Sequence, residues 1–148
     1  KWNFIRCAGS LGWGFPAAIG AKCAFPDKNV FCLTGDGGLW YHFTELETAV
    51  RSDIPTITIV NNNNALNQEY DIFMNAYDGK PSNRWTEMWY FNKVSFAELA
   101  KNMGAFGIRV TDPTDIKEAV KEAMKSKKPS IVEIDGDVNA LAPTAWSK

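Results

Sequence analysis

The chain has 148 residues, 45% hydrophobic and 22% charged, with 16 Lys and Arg against 17 Asp and Glu and a formal net charge of -1. That length and balance suit one globular domain and leave little room for a second. The missing basic surplus argues against nucleic acid as the main partner, and no run of about 18 apolar residues is present to cross a membrane.

The first predicted element is a helix over Pro16 to Ala24, with proline in its first turn and small residues for close packing. Pro26-Asp27 marks a turn into a strand, Asn29 to Thr34, a continuous apolar run ended by Gly35. After Gly-Asp-Gly-Gly at 35–38, Thr44 to Ser52 reads as a helix with Thr44 and Glu47 as a capping box. A β-branched strand, Thr56 to Val60, runs straight into four asparagines, Asn61 to Asn64. Ala65 to Ala76 has helical character, and Tyr77 to Asn92 is polar, aromatic and interrupted by Gly79-Lys80-Pro81. A helix over Phe96 to Met103 is closed by Gly104. The chain then predicts a short strand, Ile108 to Val110, a helix over Thr114 to Lys125 opened by Asp112-Pro113, and a last strand, Ser130 to Ile134.

Strands alternating with helices predict an α/β fold: a doubly wound, mostly parallel sheet with helices on both faces. Ligands of such sheets sit beyond the carboxyl ends of strands, near a switch point. Two polar clusters fall there, Gly35-Asp36-Gly37-Gly38 and Asn62-Asn63-Asn64. Glycines let backbone amides approach a phosphate. An aspartate beside a phosphate needs a cation between them, and an asparagine oxygen is a hard ligand that adds no charge, so the pair suits magnesium. Taken alone, Asp36 also reads as a turn residue satisfying local amides, and the asparagines as a polar loop. A dinucleotide fingerprint fits poorly, because Trp40 holds its third glycine position and asparagines, not an acid, end the second strand.

Three cysteines, Cys7, Cys23 and Cys32, form neither a paired count nor a C-x-x-C spacing. Cys32 lies in an apolar run and reads as a small buried hydrophobe. With no visible signal segment, a reducing cytoplasmic setting is expected. Lys121, Lys125, Lys127 and Lys128 read as a solvated face. Lys1 in place of Met, with a motif almost at once, suggests a piece of a longer polypeptide.

The order Gly35-Asp36-Gly37 then Asn62-Asn63 resembles the motif of thiamine-diphosphate-dependent enzymes. Glu45-Leu46-x-Thr48-Ala49-Val50 and Pro55 between them, Gly9-Ser10-Leu11-Gly12-Trp13-Gly14-Phe15-Pro16-Ala17-Ala18-Ile19-Gly20-Ala21 upstream, and Phe96 to Ala100, Gly104, Val110 and Ser130 to Ile134 downstream extend the likeness over most of the chain. It resembles the C-terminal diphosphate-binding domain of the acetolactate synthase, benzaldehyde lyase and pyruvate oxidase type. The resemblance implies a thiamine diphosphate-binding fold over 1–148, lacking the pyrimidine-binding and middle domains. It implies magnesium on the side chains of Asp36 and Asn63 and the carbonyl of Ala65, and diphosphate on the amides of Gly37 and Gly38, with Gly35, Ser10 and Leu66 in the surrounding cofactor contacts. The Gly9 carbonyl would accept from the aminopyrimidine. Leu11 would be the bulky catalytic prop that bends the cofactor, where many acetolactate synthases have Met; by itself it reads as an ordinary core leucine.

The same resemblance implies a lyase or carboligase acting on a small 2-oxo acid or aldehyde, acetolactate synthase first, with benzaldehyde lyase-like, sulfoacetaldehyde acetyltransferase-like and decarboxylase relatives as alternatives. A glutamate that activates the pyrimidine would come from a pyrimidine-binding domain of the same or a partner subunit, in a homodimer or homotetramer, so the chain alone would be inactive. FAD is undecidable from these residues. A non-catalytic module that keeps the fold, and a nicotinamide oxidoreductase, are the other function classes. His42, the only histidine, is expected to pack or bond locally, and Trp85, Trp89, Tyr90 and Phe91 to form a lid or an interface.

Overall fold

The computed structural model describes residues 3–6, 9–80 and 82–140. Cys7 and Lys1 lie outside them. The described strands are β1 (Phe31–Gly35), β2 (Ile57–Asn62), β3 (Phe106–Val110) and β4 (Ser130–Asp135), joined in one sheet of order β1-β2-β4-β3 in which every pairing is parallel. The helices are α1 (Gly14–Ala24), α2 (Asp36–Trp40), α3 (Glu45–Arg51), α4 (Glu69–Ala76), α5 (Phe96–Asn102) and α6 (Ile116–Ser126).

Period-two alternation splits the strand residues between two cores. Cys32, Val60 and Ile131 join Phe15, Ile19, Leu39, Phe43, Leu46 and Phe96, so α1, α2, α3 and α5 share one face. Ile57, Val110 and Val132 join Ala119 and Ala123, so α6 covers the other. Right-handed crossovers explain the division. The steps β1 to β2 and β2 to β3 run the same way across the sheet and place their helices together, whereas β3 to β4 runs back and places α6 opposite. The fold is doubly wound as expected, but the winding reverses at β3 and β4. The candidate clusters at the ends of β1 and β2 are therefore neighbours without lying at that reversal.

Two local expectations change. Thr44 makes no capping box: it is already helical, at φ -60° and ψ -23°, and its side chain makes no capping hydrogen bond. Successive turns from His42 to Glu45, Phe43 to Leu46 and Thr44 to Glu47 run into α3, so no open helix end remains there to cap. Glu47 instead bonds Arg51. The helix expected from Ala65 starts only at Glu69, because Ala65 pairs with Tyr90 in an antiparallel bridge. The segment after Gly35, for which no element is predicted, forms the short helix α2.

Other signals hold. Gly104 follows α5 at φ +87°, as expected, and the helix start is capped by a residue the sequence reading did not single out, Ser95, which accepts from the Glu98 amide. Asp112 caps the turn before α6 through the amide and hydroxyl of Thr114, which hold its carboxyl below the ordinary value. Cys32 is buried, and burial pushes its thiol up to about 11. Lys121, Lys125, Lys127 and Lys128 are exposed, Lys121 paired with Glu118.

Candidate functional site

The register of β1 and β2 builds the site. Gly35 lies opposite Asn61, so the residue after Gly35 and the turn after Asn62 leave the same end of the sheet side by side. Asp36 begins α2 there and is 3% exposed. Its Oδ2 accepts from the Ala65 amide at 3.0 Å, and the Asn63 Oδ1 accepts from that same amide at 3.1 Å. One N–H thus gathers a carboxylate oxygen from β1 and an amide oxygen from β2.

Burial raises the Asp36 carboxyl above its ordinary value of 3.8, against the downward pull of the Gly37, Ala65, Asp36 and Asn64 amides. Backbone amides alone do not offset the desolvation, and no ion pair of Asp36 occurs among the described residues. A buried carboxylate in this condition is suited to a cation.

The four asparagines separate into different tasks. Asn61 is exposed. Asn62 is buried and turned inward, its amide bonded to Glu133 and to the Val94 carbonyl. Asn64 takes the left-handed conformation, φ +57°, and its carbonyl accepts from the Phe91 amide. Asn63, half-buried, is the one whose side-chain oxygen turns toward Asp36. The bridge to Tyr90 uses the Asn64 carbonyl and the Leu66 amide, so the Ala65 carbonyl is not spent on it.

The glycines keep α2 close to its surroundings. A Cβ on Gly37 would come within 2.5 Å of Leu66 Cδ2, and one on Gly38 within 2.8 Å of Thr34 Oγ1 and 3.5 Å of Leu11 Cδ1. Gly9 and Gly12, at φ +82° and +90°, turn the preceding segment over this helix, and the Ser10 carbonyl accepts from the Trp13 amide. Leu11 is 55% exposed. It is therefore not the core leucine that isolated reading allows; it stands open beside the start of α2.

Among the described residues no cluster of three His, Cys, Asp or Glu side chains could hold a metal. Any cation here would rest on mixed oxygens: one carboxylate, one amide and a main-chain carbonyl. Such a set fits a small hard ion that keeps water and phosphate in its shell, as magnesium does. The first-turn amides of α2 are the nearest donors for an anion next to it, while Gly37 and Gly38 are needed there because Leu66, Thr34 and Leu11 leave no room for a Cβ.

His42 is exposed, its ring edge near Gly12, away from this donor set. Tyr70, Trp85, Trp89 and Tyr90 stack on one another with centroids 4.2 to 5.7 Å apart. Trp89, 2% exposed, is the interior of that cluster and not a rim residue. Phe91 instead joins Trp40, Asn92 and Val94 around a cavity of about 350 Å³ beside α2. The inward role of Asn62 and the buried Glu133 beneath it had no sequence signal, since each reads as one more polar residue at a strand end.

The comparisons with known proteins follow this geometry. Residues 1–134 match the family described as thiamine pyrophosphate enzyme, C-terminal TPP binding domain. A probable acetolactate synthase large subunit of Methanocaldococcus jannaschii is 39% identical over 126 residues, 85% of this chain and 21% of that protein. The acetolactate synthase large subunit of Haemophilus influenzae is 36% identical over 139 residues, 93% of this chain and 23% of its own. A solved thiamine diphosphate-dependent 4-hydroxybenzoylformate decarboxylase of Rhodococcus jostii superposes with a TM-score of 0.74 at 30% identity, covering 86% of this chain and 23% of that one. The chain thus spans about a fifth of the length of the relatives it matches.

Proposed function

The chain belongs to the C-terminal TPP-binding domain family of thiamine pyrophosphate enzymes, and on that footing we propose that it grips the diphosphate end of thiamine diphosphate through magnesium, as part of an acetolactate synthase-like carboligase. Asp36 and Asn63 supply the side-chain oxygens and Ala65 a carbonyl. Gly37 and Gly38 bring amides to the diphosphate, with Gly35, Ser10 and Leu66 around it and Gly9 offering its carbonyl to the pyrimidine. Leu11 supports the cofactor from below. When bound, the cofactor supplies the electron sink for decarboxylation and carbon–carbon bond formation.

The observation that carries this reading is the Ala65 amide shared by the Asp36 and Asn63 oxygens. Had the two side chains pointed to opposite ends of the sheet, no common ion would be conceivable. The acetolactate synthase assignment leans on the named relatives; a decarboxylase among the solved neighbours keeps the acceptor step open. Residues 1–148 form the diphosphate half of a cytoplasmic enzyme, and a pyrimidine-binding domain of the same or a partner subunit completes it within a dimer or tetramer. By this reading the isolated chain turns over no 2-oxo acid.

Calorimetric titration of the native protein with thiamine diphosphate, with and without magnesium, tests the proposal. Binding should require magnesium, and Asp36→Ala should abolish that requirement together with most of the affinity. Asn63→Leu should weaken cofactor binding more than it lowers thermal stability. Magnesium-independent binding, or an Asn63→Leu protein with the parent's affinity, contradicts the ligand assignment.

A further inference from the structure

We propose that Glu133 is a positioning residue for the cation site: through the Asn62 amide it holds the Asn63–Ala65 turn in the shape that faces Asp36. The inference rests on the reading that Asp36 and Asn63 share a cation, and adds to it a residue that touches neither metal nor cofactor.

Glu133 stands on β4 in register with Val60 of β2 and Arg109 of β3, and is 0% exposed. Its neighbour two residues back on the same face, Ile131, is ordinary core. A carboxylate at such a position is costly unless donors surround it. Three do: Asn62 Nδ2 bonds Oε1 at 2.7 Å, while Ser95 Oγ and the Ala97 amide bond Oε2 at 2.7 and 2.9 Å. Arg109, the nearest cation in register, is taken by Asp135. The group is therefore a hub of hydrogen bonds and not half of a salt bridge, and a hydrophobic residue would fill the space at lower cost.

What the carboxylate specifies is the direction of the Asn62 amide. Its Nδ2 donates to Glu133 and to the Val94 carbonyl at 3.1 Å, and its Oδ1 accepts from the Asn64 amide at 3.2 Å. A flipped amide would set oxygen against two acceptors and NH2 against a donor. Held this way, Asn62 ties the Asn64 backbone, whose left-handed φ of +57° reverses the chain between Asn63 and Ala65. The Ala65 amide then reaches Asp36 and Asn63 together. The end of β4 presses on the same turn. The Gly136 amide donates to the Asn62 carbonyl at 2.8 Å, and a Cβ on Gly136 would overlap Asn61 Oδ1 and approach Asn63 Cβ at 3.2 Å.

The test compares Glu133→Gln, Asn62→Ala and Ser95→Ala in the native protein, reading melting temperature and the magnesium concentration that half-saturates thiamine diphosphate binding by calorimetry. Gln must aim an NH2 at one of three donors. Removal of such outer contacts typically weakens metal binding about 10- to 100-fold. Glu133→Gln and Asn62→Ala should raise the magnesium half-saturation by that order. Ser95→Ala leaves the Asn62 bond to Oε1 and the Ala97 amide on Oε2 in place, so it should lower the melting temperature while shifting magnesium half-saturation clearly less than Asn62→Ala does. If Glu133→Gln does not fold, the Asn62→Ala and Ser95→Ala pair decides alone. Equal magnesium shifts for all three variants at equal losses of stability, or no shift in Asn62→Ala, overturn the proposal. Asp36→Ala, run alongside, separates the two ideas: an intact magnesium response there defeats the shared-cation reading itself, and the Glu133 role falls with it.

Discussion

If Asp36 holds a cation as proposed, it carries a conflict between stability and binding. Burial raises its pKa, so the folded chain holds the proton more readily than the unfolded chain does. The ionised form then costs stability. That cost is absent below the ordinary value of 3.8, grows as pH rises through the interval, and is complete above the raised folded value. Asparagine loses that charge but must turn its NH2 toward some of the same amides, so the pH trend is what burial dictates: the melting temperature of cofactor-free Asp36→Asn protein should gain on the parent's as pH rises from acid to neutral. Its melting temperature should no longer respond to magnesium with thiamine diphosphate, whereas the parent's should rise. Circular-dichroism melts at neutral and acidic pH decide this; a variant that loses ground to the parent as pH rises would show that the amides outweigh burial. Leu11 poses the opposite case. At 55% exposure it contributes little packing, so Leu11→Ala should change stability by less than about 0.5 kcal/mol. If it props the cofactor, the same change should weaken thiamine diphosphate binding about tenfold, the worth of roughly 1.4 kcal/mol of lost apolar contact.

At the scale of elements, the glycines differ by what a side chain would meet. A Cβ on Gly107 of β3 would run into the backbone of Ala97, oxygen, carbon and Cα alike. No rotamer relieves a backbone overlap, so α5 must slide off β3. Gly107→Ala should cost about 1–3 kcal/mol in urea denaturation. Gly37→Ala would meet the tip of the Leu66 side chain, which can move, so it should spare the fold and act on cofactor affinity. The strands, α1, α3, α5 and α6 were legible to within a few residues, because buried strands read as continuous β-branched runs and helix ends carry their own cap chemistry. The Asp36–Asn63 pair was legible because its residue types and strand-end positions agree. Thr44 misled because the cap motif is local while the turns that pre-empt it are set by Phe43 in the core. The late start of α4 was hidden because Ala65 pairs with Tyr90, a partner no short window contains. Glu133 was hidden for the same reason: its meaning lies in Asn62 and Ser95, both distant in sequence.

Taken whole, the chain covers its sheet unevenly. Four helices pack on one face, while α6 lies over β2, β3 and β4 on the other. Beyond α6, β1 turns Phe31 and Leu33 outward, 39% and 80% exposed, on a strand that is an edge of the described sheet. Leu11, Trp13, Trp40 and Tyr41 add exposed apolar surface around α2. Free-standing monomers seldom leave such surface uncovered, and an apolar edge strand is a template for pairing with another chain. A chain that spans about a fifth of its relatives' length is consistent with surfaces shaped for contact with more protein. Isolated, it should self-associate as its concentration rises, detectable by light scattering during gel filtration. Leu33→Lys should suppress that association, because charge on an edge strand opposes strand pairing. The substitution should leave stability within about 0.5 kcal/mol, since the leucine it replaces buries little. An unchanged association profile would move the sticky surface elsewhere, to the rim around α2, where the cofactor and not the sheet edge would govern it.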